Sequence, residues 1–177
     1  MKKSNENYIA KVIIVVFVIV VVVFAMLCLG DKFEDIKYEK EQEKEFSEIS
    51  YDLPDAFEDD SSYYSKRFSI EDENYYCSGY INSTHKRLYE DMDYWFKGTV
   101  NFNLNDEVSE LERKKYNNNE VLVINKKNKD RYTYYYGLKS SNYYYDIEYM
   151  INDYSNGDGL GTCLKYMDDL LESVKLK

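Results

Sequence analysis

Histidine and proline are almost missing from this 177-residue chain, which has one of each, His85 and Pro54. A single His excludes His-rich metal sites, and a single Pro excludes Pro-rich linkers. Cysteine is sparse as well: Cys28, Cys77 and Cys163 are too few for a disulfide-dense scaffold. Positive charge is in deficit. The chain carries −10 overall, and residues 1–30 hold Lys2, Lys3 and Lys11 against Glu6, so the remainder carries −12. Acidity of that size repels phosphate backbones and argues against nucleic-acid binding. No nucleophile-elbow pattern surrounds any Ser, and the acids Asp55, Glu58, Asp59 and Asp60 cluster without the fixed spacing of a glycosidase pair. Nothing calls for a cofactor. What is abundant is aromatic, with 21 Tyr, 8 Phe and 1 Trp, a content that argues against wholesale disorder.

One long apolar run stands out. Residues 12–29 read VIIVVFVIVVVVFAMLCL, without a charge. As a helix this is roughly 27 Å, close to the hydrocarbon thickness of a bilayer, and helix is the one way for a single segment to satisfy its backbone in lipid. A cleaved signal peptide would have a shorter apolar core followed by small residues, and Leu27 is too large for the position before a cut. The same Leu27 argues against a lipoprotein reading of Cys28, which stays open as the alternative. Lys2, Lys3 and Lys11 precede the run, so the positive-inside rule places the N-terminus in the cytoplasm. The expected organisation is a cytoplasmic tail over 1–11 and a transmembrane helix over 12–29 in contact with membrane lipid. An acidic stalk follows over 30–50, then an extracytoplasmic domain over 51–177. The stalk reads as a solvated spacer, since no heptad persists in it.

From residue 51 onward the hydrophobic period is mostly two. Strands are expected over 63–70 and 75–81 across a 71–74 turn, then a helix over 85–97 capped by Thr84. Leu88, Met92, Trp95 and Phe96 form one face of that helix, and Gly98 ends it. A strand over 100–104 follows. Two hairpins come next, one turning at Asn117, Asn118 and Asn119, where Asn tolerates positive φ, and one turning over 139–142. A closing helix over 162–176 carries Cys163, Leu164, Met167, Leu170, Leu171 and Val174 on one stripe. The fold class is α+β, a mainly antiparallel sheet whose helices cover one apolar face and leave the other wet.

The order of these features carries a resemblance: apolar run, spacer, Leu53-Pro54-x-x-Phe57, Tyr63-Tyr64, Tyr75-Tyr76-Cys77, the Trp95 helix, two hairpins and a terminal helix. It resembles membrane-anchored surface proteins of Gram-positive bacteria that have no assigned function. Their domain is similar to the PsbP/Mog1-like α/β/α sandwich. The resemblance spans 51–177 and implies no catalytic residues.

Candidate chemistry is thin. Cys77 and Cys163 would both lie outside the cell, where disulfides persist; a bond between them is one reading and two core thiols the other. His85 beside Cys77 raises a Cys–His nucleophilic pair, but the pattern points Cys77 inward and leaves His85 exposed. In the loop 152–159, Asp153, Asn156 and Asp158 offer oxygen ligands for Ca²⁺, yet Lys165 stands where an EF-hand would need its closing Glu. Among the tyrosines, Tyr134, Tyr136, Tyr143, Tyr145 and Tyr149 read as core. Tyr135 and Tyr144 point the other way, as a solvent-facing platform for a sugar or a protein partner. Together these features describe a non-catalytic binding or structural module that contacts a protein or cell-wall component. Two other classes stay open: an envelope hydrolase built on His85, and a calcium-dependent adhesin or sensor built on the 152–159 loop.

Overall fold

The computed structural model describes residues 17, 20, 23, 40, 43–61, 66–100, 106–129, 131–155 and 157–177. The chain divides into two compact units, Met1–Glu41 and Gln42–Lys177. Among the described residues no helix is long and apolar enough to cross a membrane. The tail expected over 1–11 and the anchor expected over 12–29 lie outside the described residues. The exceptions are Phe17, Val20 and Val23, which are helical and exposed.

The second unit is α+β with an antiparallel sheet. In chain order its strands are β1 (Ile49–Ser50), β2 (Glu58–Asp59), β3 (Lys66–Glu71) and β4 (Tyr75–His85). After a helix, α1 (Met92–Thr99), come β5 (Glu107–Val108), β6 (Glu112–Tyr116), β7 (Asn119–Asn128), β8 (Arg131–Lys139) and β9 (Tyr143–Asp153). A second helix, α2 (Asp158–Ser173), and β10 (Lys175–Leu176) close the chain. The main sheet runs β2-β3-β4-β9-β8-β7-β5, with β6 also paired to β7, while β1 and β10 pair separately. Asn117 and Asn118 take positive φ, 42° and 66°, and make the two-residue β6–β7 turn.

Side chains alternate between the faces of a strand, and here both faces are buried. On one face Tyr145, Ile147, Tyr149 and Ile151 of β9 pack with Phe68, Ile81 and Val123 under Met167, Leu170 and Leu171 of α2. On the other face Leu122, Ile124, Tyr135 and Tyr144 pack under Trp95 and Phe96 of α1. Trp95 stacks on Tyr144 with ring centroids 4.8 Å apart. Phe96 lies directly on Gly137, where an added Cβ would meet the ring at 2.6 Å. The expectation of one wet face is therefore corrected. The two helices lie on opposite faces, and Tyr135 and Tyr144, expected to face solvent, are only 1% and 3% exposed.

Other boundaries also move. The segment expected to begin a helix at His85 stays extended, because Thr84 and His85 pair with Tyr144 and Tyr143 of β9. A 3₁₀ turn (Lys86–Leu88) follows, and the helix starts after Asp91, whose Oδ1 accepts the Tyr94 N–H at 2.7 Å. Leu88, expected on the buried face, is 71% exposed, and Gly98 lies inside the last turn instead of ending it. The strand expected over 100–104 lies outside the described residues apart from buried Val100. The final helix begins four residues earlier than expected, at Asp158, and ends at Ser173 in time for β10 to pair with β1.

That pairing corrects the stalk. Residues 43–50 belong to the domain: Ile49 is buried and pairs with Leu176, and Phe46 packs against the larger core. Tyr145 Oη donates to the Glu45 carbonyl at 2.7 Å. The Glu48 carboxylate accepts the Ser140 hydroxyl at 2.6 Å and the Asn142 N–H at 2.8 Å. The Ser140 bond and then those from Asn142 hold the Glu48 carboxyl down at about 2.

Cys77 of β4 and Cys163 of α2, both fully buried, form a disulfide with Cα atoms 6.1 Å apart. It ties the larger core's helix to its sheet across a separation of 86 residues. In the chain-entropy argument a loop of this length contributes up to about 4 kcal/mol. Adding a reductant to the purified protein is expected to lower Tm by several degrees, and an unchanged melting curve would show that the bond is not formed. Gly137→Ala is expected to destabilise by about 1–3 kcal/mol, because the new methyl group must push the Phe96 ring off the sheet. Chemical denaturation measures it, and a variant as stable as the parent would refute the close seating.

Candidate functional site

The helix α1 is too short for the face it covers. Its eight residues span about 12 Å, whereas the 11 residues of β9 run roughly 36 Å. Register fixes where cover ends. The row Ile124–Tyr135–Glu148–Tyr80 is the last that reaches the α1 core. The next row is Lys126–Thr133–Met150–Ser78, and the one after is Asn128–Arg131–Asn152–Tyr76. At that step the face changes from aromatic and aliphatic to polar.

Over those polar rows lies a groove of about 730 Å³, inside the range of sites that hold small ligands. Lys126 and Asn128 of β7 line it with Arg131 and Thr133 of β8. Glu148, Met150 and Asn152 of β9 add to the floor, and Asp106, Asp153 and Tyr154 form its margins. Thr133 is only 2% exposed and Tyr154 is 62% exposed, so the groove has a deep floor and an aromatic rim. The Tyr154 N–H donates to the Asn74 carbonyl at 2.8 Å, which fixes that rim to the β3–β4 turn.

The charged groups of the groove are hydrogen-bonded or ion-paired within its walls. Lys126 Nζ lies 3.8 Å from the Asp106 carboxylate, whose side chain is 1% exposed, and 5.5 Å from the centre of the Tyr135 ring. Asn128 Nδ2 donates to Asp106 at 2.9 Å. Arg131 Nε donates to Asn152 Oδ1 at 3.2 Å. Glu148 accepts a hydrogen bond from the Tyr80 hydroxyl, and its charge faces the Tyr135 phenol. Burial first, then the Glu148 bond and charge, push both phenols well above the ordinary tyrosine value. Behind Glu148 lies Asp146, 7% exposed, which accepts from Asn82 Nδ2 at 2.9 Å. Burial raises the Asp146 carboxyl above its usual value; the Asn82 bond opposes the shift, and the nearby Glu148 charge adds to it.

The residues singled out from sequence fall in four places. Tyr135 closes the inner end of the groove beneath Lys126, while Tyr144 is sealed under Trp95. Asp153 sits at the groove margin, where its Oδ1 accepts the Ser155 N–H at 2.9 Å and the Ser155 hydroxyl at 2.8 Å. Burial works to raise its carboxyl, but bonds from Ser155 and from the Gly157 and Leu160 N–H groups outweigh it and hold the value low. Asp158 is exposed in the first turn of α2, and Asn156 lies outside the described residues. Among the described residues no group of three His, Cys, Asp or Glu side chains is placed to hold a metal ion.

His85 is at the far end of β4. Its Nδ1 accepts the Arg87 N–H at 3.2 Å, and its ring meets Tyr143 edge-on at 5.2 Å. A shallow depression of about 280 Å³ adjoins it, bordered by Glu48, Arg87 and Asn142. Cys77 stands eight residues away on the same strand, roughly 26 Å along it, and is bonded to Cys163. The two do not form a nucleophilic pair.

Sequence reasoning missed the groove's Lys126, Asn128, Arg131 and Thr133, and met Asn152 and Tyr154 only as part of the 152–159 loop considered for Ca²⁺. The signal was the outward face of β9, which passes from Tyr144 through Asp146 and Glu148 to Asn152. Comparison with known families finds no family model that matches this chain, and comparison with curated proteins finds no match.

Because the folded-state carboxyl of Asp146 is raised, the folded protein holds that proton more tightly than the unfolded chain. The native state is thus favoured below the ordinary Asp value near 4, and that advantage is lost as pH rises through the folded value. Asp146→Asn is expected to be about 1 kcal/mol more stable than the parent at neutral pH, since the Asn82 bond can be kept without a buried charge. The difference should vanish below about pH 4. Urea unfolding at several pH values tests this, and a destabilised variant at pH 7 would show that the charge itself is required.

Proposed function

We propose that this chain is a non-catalytic binding module displayed on the outer face of a bacterial membrane, with the polar groove as its ligand site. The observation that carries the reading is the uncovered half of a sheet that is otherwise buried on both faces. A fold that seals every other aromatic row leaves a concave surface of hydrogen-bonding side chains around Arg131, Thr133 and Asn152. The apolar run over 12–29 supplies the anchor, with residues 1–11 in the cytoplasm. The Cys77–Cys163 disulfide supports an oxidising location for the domain. The partner in this reading is a protein or cell-wall component.

Chain entry and groove lie at opposite ends of β9 within the domain. The chain enters the domain beside Ser140 and Asn142, at the start of β9. The groove lies at the other end of β9, around Asn152, roughly 30 Å further on.

Protease added to intact cells is expected to remove the domain of residues 42–177, and to spare it in inverted vesicles. Cleavage in the opposite sidedness would overturn the topology. The solubilised full chain is expected to bind purified cell envelopes, and Arg131→Gln with Asn152→Ala should cut that retention at least tenfold at unchanged Tm. Equal retention by the variant would remove the groove from the function.

A further inference from the structure

We infer that the ligand of the groove is a neutral oligosaccharide, with Tyr154 as the surface on which a sugar ring stacks. This rests on the reading of the groove as a binding site and goes further by naming what it takes.

Charge decides first. Two cations and three carboxylates line the groove, and each has a partner in the wall: Lys126 with Asp106, Arg131 with Asn152, Glu148 with the Tyr80 hydroxyl, Asp153 with Ser155. An anionic ligand brought to Arg131 meets Glu148 and Asp153 in the same groove. A cationic ligand meets Arg131 and Lys126. Like-charge juxtaposition of this kind costs several kcal/mol and rejects partners of either sign. A neutral ligand meets no such penalty.

Hydrogen-bonding type decides next. A carboxylate has about four lone-pair positions and an Arg five N–H donors, so the bonds already made leave both acceptors and donors over. Asn152 lies beside Arg131 across β8 and β9, and Glu148 stands two rows further in on the same face. A ligand that suits such a surface presents donors and acceptors together at short intervals. Vicinal hydroxyls do so, each group being one donor and two acceptors. Shape decides last. The Tyr154 ring is 62% exposed on the rim of an otherwise polar site, held by its backbone bond to Asn74. An exposed aromatic beside hydrogen-bonding side chains matches a molecule with an apolar face and a hydroxylated edge, as a pyranose has. The Met150 side chain adds an apolar strip to the floor.

The test uses the full chain in detergent micelles and calorimetric titration with cellotetraose, maltotetraose and chitotetraose. At least one should bind, and its affinity should stay nearly constant as ionic strength rises from ~0.01 to ~1 M, the range over which screening length falls about tenfold. Tyr154→Ala and Arg131→Gln, both at exposed positions, should each weaken binding tenfold or more at unchanged Tm. Saccharide binding that neither variant weakens would place it elsewhere and overturn the proposal. Binding of polygalacturonate fragments or pentaglutamate in place of the neutral tetramers, lost in Arg131→Gln, or binding of pentalysine in their place, would overturn the neutral-saccharide assignment and leave the binding module standing. If none of these probes binds and envelope retention is also absent, both readings fall.

Discussion

The alternation of β9 is the constraint from which the rest of the domain follows. Its 11 residues lie at the centre of the sheet, between β4 and β8. They put Tyr143, Tyr145, Ile147, Tyr149 and Ile151 on one face and Tyr144 on the other. Large aromatics on both sides of a central strand need cover on both sides. One face receives the 16-residue α2, pinned by the Cys77–Cys163 bond. The other receives only the eight residues of α1, brought in by the connection between β4 and β5. The mismatch between a short helix and a long strand leaves the far end of that face open, and the open end is where the polar side chains stand.

The sequence pattern carried the strand alternation well, because the period of two in 143–151 is a local property. It placed both hairpins for the same reason, since Asn117 and Asn118 advertise positive φ. It did not carry the location of α1. Trp95 and Phe96 announce a buried helix face without saying which face of the sheet they seek, and Gly137, which makes room for Phe96, looks like an ordinary strand glycine. Hence Tyr135 and Tyr144 were correctly separated from the other tyrosines and wrongly given to solvent. The end of the spacer was obscured similarly. A two-residue strand at Ile49 acquires meaning only from a partner at Leu176, and its acidic neighbours read as solvated chain.

The groove was the least legible feature because nothing about it is contiguous. Asp106, Lys126, Arg131 and Asn152 come from four segments, and pairing register alone sets them together. Each is unremarkable as a surface residue of a strand or loop. What distinguishes the set is mutual satisfaction: the buried Asp106 carboxylate has Lys126 and Asn128, and Glu148 has the Tyr80 hydroxyl. Buried charge is tolerated when it is hydrogen-bonded and paired. Such networks hold side chains in fixed positions before any ligand arrives, which lowers the entropy lost on binding.

Asp146 separates what the fold requires from what the groove offers. It lies one row inward from Glu148, at the step where α1 cover begins, and it bears a charge that burial disfavours. A domain built only for stability would place an apolar residue there, as ion pairs and buried acids are commonly matched or bettered by hydrophobic packing. Its carboxylate instead holds Asn82 on β4 and adds negative charge behind Glu148. That charge lies behind the groove's inner end, three rows from the Arg131 side chain on the same face. The groove is therefore electrostatically polarised along its length, while each charged side chain keeps a hydrogen-bond or ion-pair partner in the wall. A neutral ligand with oriented hydroxyl dipoles can take advantage of such a field, donating toward the Glu148 end and accepting at the Arg131 end, and this gives a direction to the chain that binds.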